Sequence, residues 1–278
     1  MIGLSLTYNG TYMGGSDYGV IVTRAARLGM SDVQLDLQYY GGIDGAASQG
    51  ATLIPKFWTD VCMIQGASPA DLQTKIDHVL FVLDSRLGEK LLKYDREISM
   101  GASDVLDRQY YARINGPIIL NYIGNAAVKF NINWAVPSGH AIGLAQVSEA
   151  PVIASDPDTF YLPVSAAQVV GGNNITDPVY TFQNNTGGNV TTVSLVNVTL
   201  SQTCRWTGVL VNTHYLRFDS ARQIVERSTD GVTYTTAMSG LTAGDPFPML
   251  SSRVRSEFTL SGFSSAANVT ATYWEKFI

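Results

Sequence analysis

Apolar and polar residues alternate along much of the chain with the period of two that marks a half-buried strand. In the first clear case Val33, Leu35, Leu37 and Tyr39 are separated by polar Gln34, Asp36 and Gln38, and Gly41-Gly42 break the run. Further strand-like runs fall at 91–94, 109–114, 118–123 and 128–134, the last setting Val128, Phe130, Ile132 and Trp134 on one face. A single segment changes period. Ser68 can cap a helix, Pro69 suits its first position, and Asp71 sits three residues after the cap, where a carboxylate can bond back. Leu72, Ile76, Val79, Leu80, Leu83 and Leu87 then fall on one face, and Gly88 supplies a stop. An amphipathic helix of this kind must pack on a sheet, so residues 1–134 read as a sheet domain with one helix.

Residues 135–172 carry little periodicity. They hold Pro137, Pro151, Pro157 and Pro163, end in Gly171-Gly172, and read as a connecting segment. From 173 to 278 the pattern becomes short strands at regular spacing, at 179–182, 192–200, 204–211, 215–218, 224–227, 233–237, 254–260 and 269–274. Their connections are rich in Gly, Asn and Asp, notably Asn184-Asn185-Thr186-Gly187-Gly188 and Asp230-Gly231. That pattern predicts an antiparallel β-sandwich. The fold class is therefore mainly β in two domains, a length of 278 residues being enough for each to bury its own core.

Composition adds a surface. Hydrophobic residues make up 45%, as in globular proteins, but charged residues only 15%, against about 25% in ordinary soluble domains. A solvated face normally carries more Lys and Glu, so a surface this poor in charge points to coverage by other subunits. The formal net charge of −5 argues against the clustered Lys and Arg that hold phosphates, and no specific nucleic-acid binding is expected. An acidic wall suits a pore through which DNA passes without sticking. The opening MIGLSLTYNG shows no basic segment followed by an apolar core, and no run approaches a membrane span. Membrane insertion is not expected, and the chain reads as made in cytoplasm. Cys62 and Cys204 fall in different predicted domains and read as buried free thiols.

Chemistry is sparse. His78 lies in the helix, His140 in the connecting segment and His214 in a turn, a scatter that gives neither a metal site nor a hydrolytic triad. Gly14-Gly15 and Gly41-Gly42-Ile43-Asp44-Gly45 lack the strand-then-helix context of a phosphate loop and read as turns. Asp219 and Glu226 are close in sequence but read as surface charges. Triplets of the glycosylation type at Asn9, Asn174, Asn184, Asn189, Asn197 and Asn268 follow from an Asn- and Thr-rich composition. No catalytic residue, metal or cofactor is expected.

The order of the C-terminal segments is more informative than any one motif. Leu195-Val196-Asn197-Val198-Thr199 is followed by Arg205-Trp206-Thr207-Gly208, Leu216-Arg217-Phe218-Asp219, Asp230-Gly231, Pro246-Phe247-Pro248-Met249-Leu250 and the closing Ala271-Thr272-Tyr273-Trp274-Glu275-Lys276-Phe277. This order resembles the C-terminal domain of siphophage distal tail proteins, and the N-terminal plan of one helix within a β chain resembles that family's β-sandwich-like, ring-forming domain. The chain departs from the family after Trp134, where Ala135-Val136-Pro137-Ser138-Gly139 replaces the usual Asp-Pro-aromatic segment. The resemblance implies a galectin-like C-terminal sandwich and a non-enzymatic virion protein at the distal end of the tail. In such proteins six copies form a ring that continues the bore of the tail tube. The implied partners are the chain itself as a homohexamer, the tail tube protein, a tail-tip hub protein and receptor-binding proteins.

Two other readings stand beside it. A tail tube subunit would also be β-rich and ring-forming. A carbohydrate-binding tail protein would need an exposed ring for stacking beside polar groups, for which Trp206, His214, Arg217 and Trp274 are the candidate contacts. Against that, both tryptophans fall within strands, where they can fill a core, and Arg217 can pair with Asp219.

Overall fold

The computed structural model of the chain describes residues 4–25, 33–38, 47–96, 108–172, 174–242, 244–263 and 267–277. Tyr39 and the glycine-rich turn at Gly41–Gly45 lie outside the described residues. Two compact units emerge, Met1–Leu144 and Ala145–Phe277. Both are built from antiparallel strands, and the chain is mainly β.

The first unit contains strands β1 (Leu4–Tyr8), β2 (Thr11–Tyr12), β3 (Val20–Ala25), β4 (Val33–Gln38), β5 (Ala47–Leu53), β6 (Lys56–Gln65), β7 (Lys90–Arg96), β8 (Arg108–Ile114), β9 (Leu120–Tyr122), β10 (Ala127–Val136) and β11 (Ala141–Gly143). β8 pairs with β7, β7 with β1, β1 with β3, β3 with β6, β6 with β10, and β10 again with β8. The sheet thus closes on itself, which removes the free edges that an open sheet would present. β9 is added on β10, β11 on β8 and β2 on β1, while β4 and β5 form a separate hairpin.

The alternation seen in sequence decides which side chains fill the barrel. Along β6 buried and less buried positions alternate from Lys56 to Gln65, and β10 buries Val128, Phe130, Ile132 and Trp134. Tyr8 packs on Trp134 at 5.1 Å and Trp58 on Tyr110 at 5.2 Å between ring centroids. Asp60 is also fully buried there, and its Oδ2 accepts hydrogen bonds from the Tyr94 hydroxyl and from Trp134 Nε1 at 2.8 Å. Trp58 Nε1 donates to the same Tyr94 hydroxyl at 2.8 Å. A buried carboxylate is tolerable only with such donors, and this chain of bonds ties β6, β7 and β10 together.

The helix α1 (Pro69–Val82) starts where its cap predicts: Ser68 Oγ accepts the Asp71 amide at 3.2 Å, and Asp71 Oδ2 accepts the Ala67 amide at 2.7 Å. Before it, the chain passes so close to Leu72 that a Cβ on Gly66 would lie 2.6 Å from the Leu72 nitrogen. The helix ends sooner than the apolar pattern suggested. Asp84 Oδ1 accepts the Arg86 amide at 2.9 Å and caps a separate 3-10 turn, Ser85–Leu87, which Gly88 closes at φ +74°. Leu72, Ile76, Val79, Val82 and Leu83 are buried, whereas Leu80 and Leu87, expected on the same stripe, are 40% and 45% exposed. At about 100° per residue Leu80 falls on the flank opposite Val82, and Leu87 lies beyond the helix altogether.

The second unit holds β12 (Val147–Glu149), β13 (Val152–Ile153), β14 (Asp158–Leu162), β15 (Val179–Asn184), β16 (Val190–Asn197), β17 (Gln202–Leu210), β18 (Tyr215–Asp219), β19 (Ile224–Ser228), β20 (Thr235–Thr236), β21 (Ser256–Ser261) and β22 (Ala267–Tyr273). One sheet runs β12-β22-β15-β18-β19-β20 with β13 also on β22, the other β14-β21-β16-β17. Phe160 stacks on Phe258 and Phe182 meets Phe218 edge-on, both at 5.3 Å, in one aromatic core. Residues 135–172 are more regular than their sequence suggests. The end of β10, then β11, β12, β13 and β14 lie in them, and β12 to β14 supply edge strands to both sheets of the sandwich. Strands of two or three residues offer too few alternations to register as a period, and β14 is enclosed by Pro157 and Pro163, which read as loop.

Candidate functional site

The four residues considered for sugar contact occupy different environments. Trp206, on β17, is 2% exposed and its indole N–H donates to the Ala237 carbonyl at 3.0 Å, so it belongs to the core. Arg217, on β18, pairs across the strands with Glu226, its Nε donating to Glu226 Oε2 at 2.9 Å, and its guanidinium lies 3.7 Å from the centre of the Tyr234 ring. The pairing with Asp219 considered from sequence is replaced by this one because Glu226 stands directly opposite Arg217. Asp219 instead accepts the Arg222 amide at 3.0 Å. Asp219 and Glu226 therefore both belong to an arginine-bound cluster, with Arg222 Nη1 3.8 Å from one and 3.5 Å from the other.

Register separates the remaining two. His214 bonds through its carbonyl to Asn184, and Asn184 stands opposite Ala267 on β22. Trp274 comes seven residues after Ala267, about 23 Å farther along at 3.3 Å per residue. His214 and Trp274, both half-buried, thus sit at opposite ends of the sheet. The structure does not bring the four together.

His214 has other neighbours. It lines a groove of about 410 Å³ formed by the end of β17, the β17–β18 turn, β19 and β20. Sequence reasoning passed over the other groove residues, above all Arg227, because only the sheet register shows which face they share.

The other titratable groups have structural occupations. His78 Nδ1 lies 3.2 Å from the Asp17 carbonyl and His140 Nδ1 2.9 Å from that of Ser138. Burial pushes the Cys62 thiol far up, helped by Asp60, and pushes Cys204 up to about 12, helped by Asp245, so neither is a ready thiolate. Asn184 and Asn197, each in a glycosylation-type triplet, are fully buried: Asn184 Nδ2 donates to the carbonyls of Gly188 and Leu210, and Asn197 Nδ2 to that of Met249. They fix turns. Among the described residues no three His, Cys, Asp or Glu side chains converge as metal ligands, and no described helix is long and apolar enough to cross a membrane.

The first unit holds a shallow pocket of about 270 Å³ lined by Phe57, Trp58, Thr59, Asn115, Asn133 and Trp134, and beside it an apolar surface. Phe57 and Phe81 are 52% and 79% exposed, and around the appended strand β9 the side chains of Ile119, Tyr122 and Ile123 are all more than half exposed. Rings and branched aliphatics left in water beside a sheet end are the composition of a contact surface.

No protein-family model matches the sequence, and no curated protein does. Solved structures do. The crystal structure of the SPP1 Dit protein, described as a paradigm of the hub adsorption apparatus in phages infecting Gram-positive bacteria, matches at TM-score 0.71 and 16% identity, over 99% of this chain and 99% of its own. A chain of the phage P2 baseplate in its activated, calcium-containing conformation matches at TM-score 0.50 and 7% identity, over 98% of both chains. At such identities the likeness is one of fold, and the fold of this chain, from one end to the other, is that of SPP1 Dit.

Proposed function

We infer that this chain is a structural component of the distal end of a phage tail, six copies forming a ring between the tail tube and the hub with its receptor-binding proteins. The observation that carries the reading is the end-to-end likeness to SPP1 Dit, which includes both units at 99% coverage of each chain. The same coverage favours the tail tip over a tail tube subunit, since the second sandwich is part of what matches. Six is the number implied by the family resemblance.

The physical properties fit a ring part. A closed barrel braced by an internal polar network is a stiff block, and its exposed Phe57, Phe81, Ile119 and Tyr122 supply apolar area for neighbours. Identical subunits joined head to tail make a fixed object only if the rotation closes. The net charge of −5 suits walls along which DNA slides without binding. The role needs no catalysis, and His78, His140, Cys62 and Cys204 have structural partners or buried places instead. The test is a gold label on the C-terminus of the chain in purified virions: label at the distal tip of the tail supports the reading, and label along the tube or on the head overturns it.

A further inference from the structure

The groove beside His214 has a composition that a merely structural edge does not need. Arg227 stands opposite Leu216 on β18, Leu216 opposite Phe182 on β15, and Phe182 opposite Val269 on β22. Directly paired residues share a face, so Arg227 continues a row whose other members, Leu216, Phe182 and Val269, are 0 to 2% exposed in the sandwich core. Arg227 itself is exposed, so it stands where the row leaves the core and reaches solvent at the groove.

The guanidinium has no ion pair among the described residues, whereas Arg217 and Arg222, on the same sheet, both have carboxylates. The nearest carboxylate in sequence, Asp230, is engaged in its own turn: it accepts the Ser228 hydroxyl at 2.7 Å and the amides of Val232 and Thr233 at 2.9 and 2.8 Å. Those bonds hold its carboxyl far below the usual range, the Ser228 hydroxyl foremost. Asp230 is not among the groove's lining residues.

The walls are of two kinds. Val209 and Val211, 53% and 40% exposed, form an apolar side. Arg227, His214, Thr229 and Thr235 line the other side, Thr235 standing directly beside Arg227 on β20, where its hydroxyl donates to the Arg227 carbonyl at 3.3 Å and keeps its lone pairs for a ligand. An apolar strip opposite hydroxyls and a cation matches a ring that carries C–H bonds on one face, hydroxyls at its rim and one negative group. A volume of about 410 Å³ lies within the range of about 300 to 1,000 Å³ typical of small-molecule sites.

We propose that this groove binds an acidic saccharide, a sugar unit bearing a carboxylate or a phosphate, with Arg227 holding the anion, Thr229 and Thr235 the hydroxyls, and Val209 and Val211 the apolar face of the ring. The negative group completes the cation that the fold leaves without a partner. The assignment is independent of the ring reading, because it concerns the second unit's own chemistry.

The experiment is calorimetric titration of the full chain with trigalacturonate and with glucose 6-phosphate, using galactotriose and glucose as neutral counterparts. At least one acidic probe binds, its neutral counterpart binds about tenfold more weakly or not at all, and Arg227→Gln weakens the acidic probe by about tenfold or more, as loss of a charge-assisted hydrogen bond requires. Which acidic probe binds separates a carboxylate ligand from a phosphate ligand. Val209→Asp, a change at an exposed position on the opposite wall, weakens the same probe without lowering the melting temperature, so the result does not rest on one variant's folding. Failure of both acidic probes, equal binding of the neutral sugars, or unchanged binding in both variants overturns the proposal and leaves the location of the chain in the virion untouched.

Discussion

Tyr94 shows how much one hydroxyl does inside the barrel. It donates to Asp60 and accepts from Trp58, so Tyr94→Phe leaves a buried carboxylate and a buried indole N–H each short of a partner. The expected cost is about 1–3 kcal/mol, read as a lower melting temperature and denaturant midpoint with an unchanged far-ultraviolet spectrum. On the helix, Val79→Asp and Leu80→Asp form a matched pair. Val79 is 2% exposed, and a carboxylate there costs several kcal/mol or expels the helix, whereas Leu80 is 40% exposed and the same change costs about 1 kcal/mol or less. Equal melting temperatures for the two variants would show that the buried face is misassigned. The helical stripe was readable at Leu72, Ile76 and Val79, which cluster within about 60°, but Leu80 belongs to the flank and only packing decides which flank is covered. The place of Arg227 in the groove was not readable at all, since nothing local in Glu226-Arg227-Ser228 says that its neighbours are buried while it is left exposed at the groove.

The helix and its following turn are governed by two aspartates. Asp71 closes the start of α1, and its carboxyl is held low by the Ala67 amide and then by Lys75. Asp84 caps the 3-10 turn, and its carboxyl is lowered to about 2, first by the Arg86 side chain and then by the Arg86 amide. A carboxyl lowered on folding stabilises the fold fully above its unfolded value of about 3.9, and the contribution fades as pH falls towards the folded value. Wild type therefore loses melting temperature more steeply than Asp84→Asn between about pH 4 and pH 2, and the two curves run parallel above about pH 5. Parallel curves throughout would remove Asp84 from the account. The start of this element was written in Ser68-Pro69-Ala70-Asp71, where cap, proline and carboxylate agree, while its end was masked because Leu83 and Leu87 keep the apolar spacing across the break at Asp84. The longer strands of the sandwich were legible in their alternation, whereas β12 and β13, of two or three residues, were too short to register, and the five residues of β14 are enclosed by Pro157 and Pro163, which mark a loop. A chain beginning at Ala145 keeps those three strands, and one beginning at Ala166 loses the β14 pairing on β21 and the Phe160 ring stacked on Phe258. The longer piece is expected to melt cooperatively, and the shorter one to melt lower or to remain unfolded by circular dichroism.

For the whole molecule, the two-part, mainly β plan with one helix was legible in the change of period, the spacing of turns and the order of segments. The closure of the first sheet was not, because β8 meets β10 through only Trp134↔Ile114 and Ala135↔Arg113, and no local pattern records that pairing. Closure matters to the proposed role. With the central strands satisfied on both sides, contacts between copies fall to appended elements such as β9 and to exposed side chains such as Phe81, which can be fitted to a neighbour without disturbing the barrel. In the proposed role, low charge, exposed rings and an acidic balance are what a part covered on its flanks and passed by DNA would need. The most direct measurement is a reconstruction of the distal end of the virion tail with the symmetry determined from the images. The account predicts this chain as a closed ring of six around the central axis at the end of the tube; a map placing it away from that axis, or in a ring whose order is incompatible with six, would contradict it.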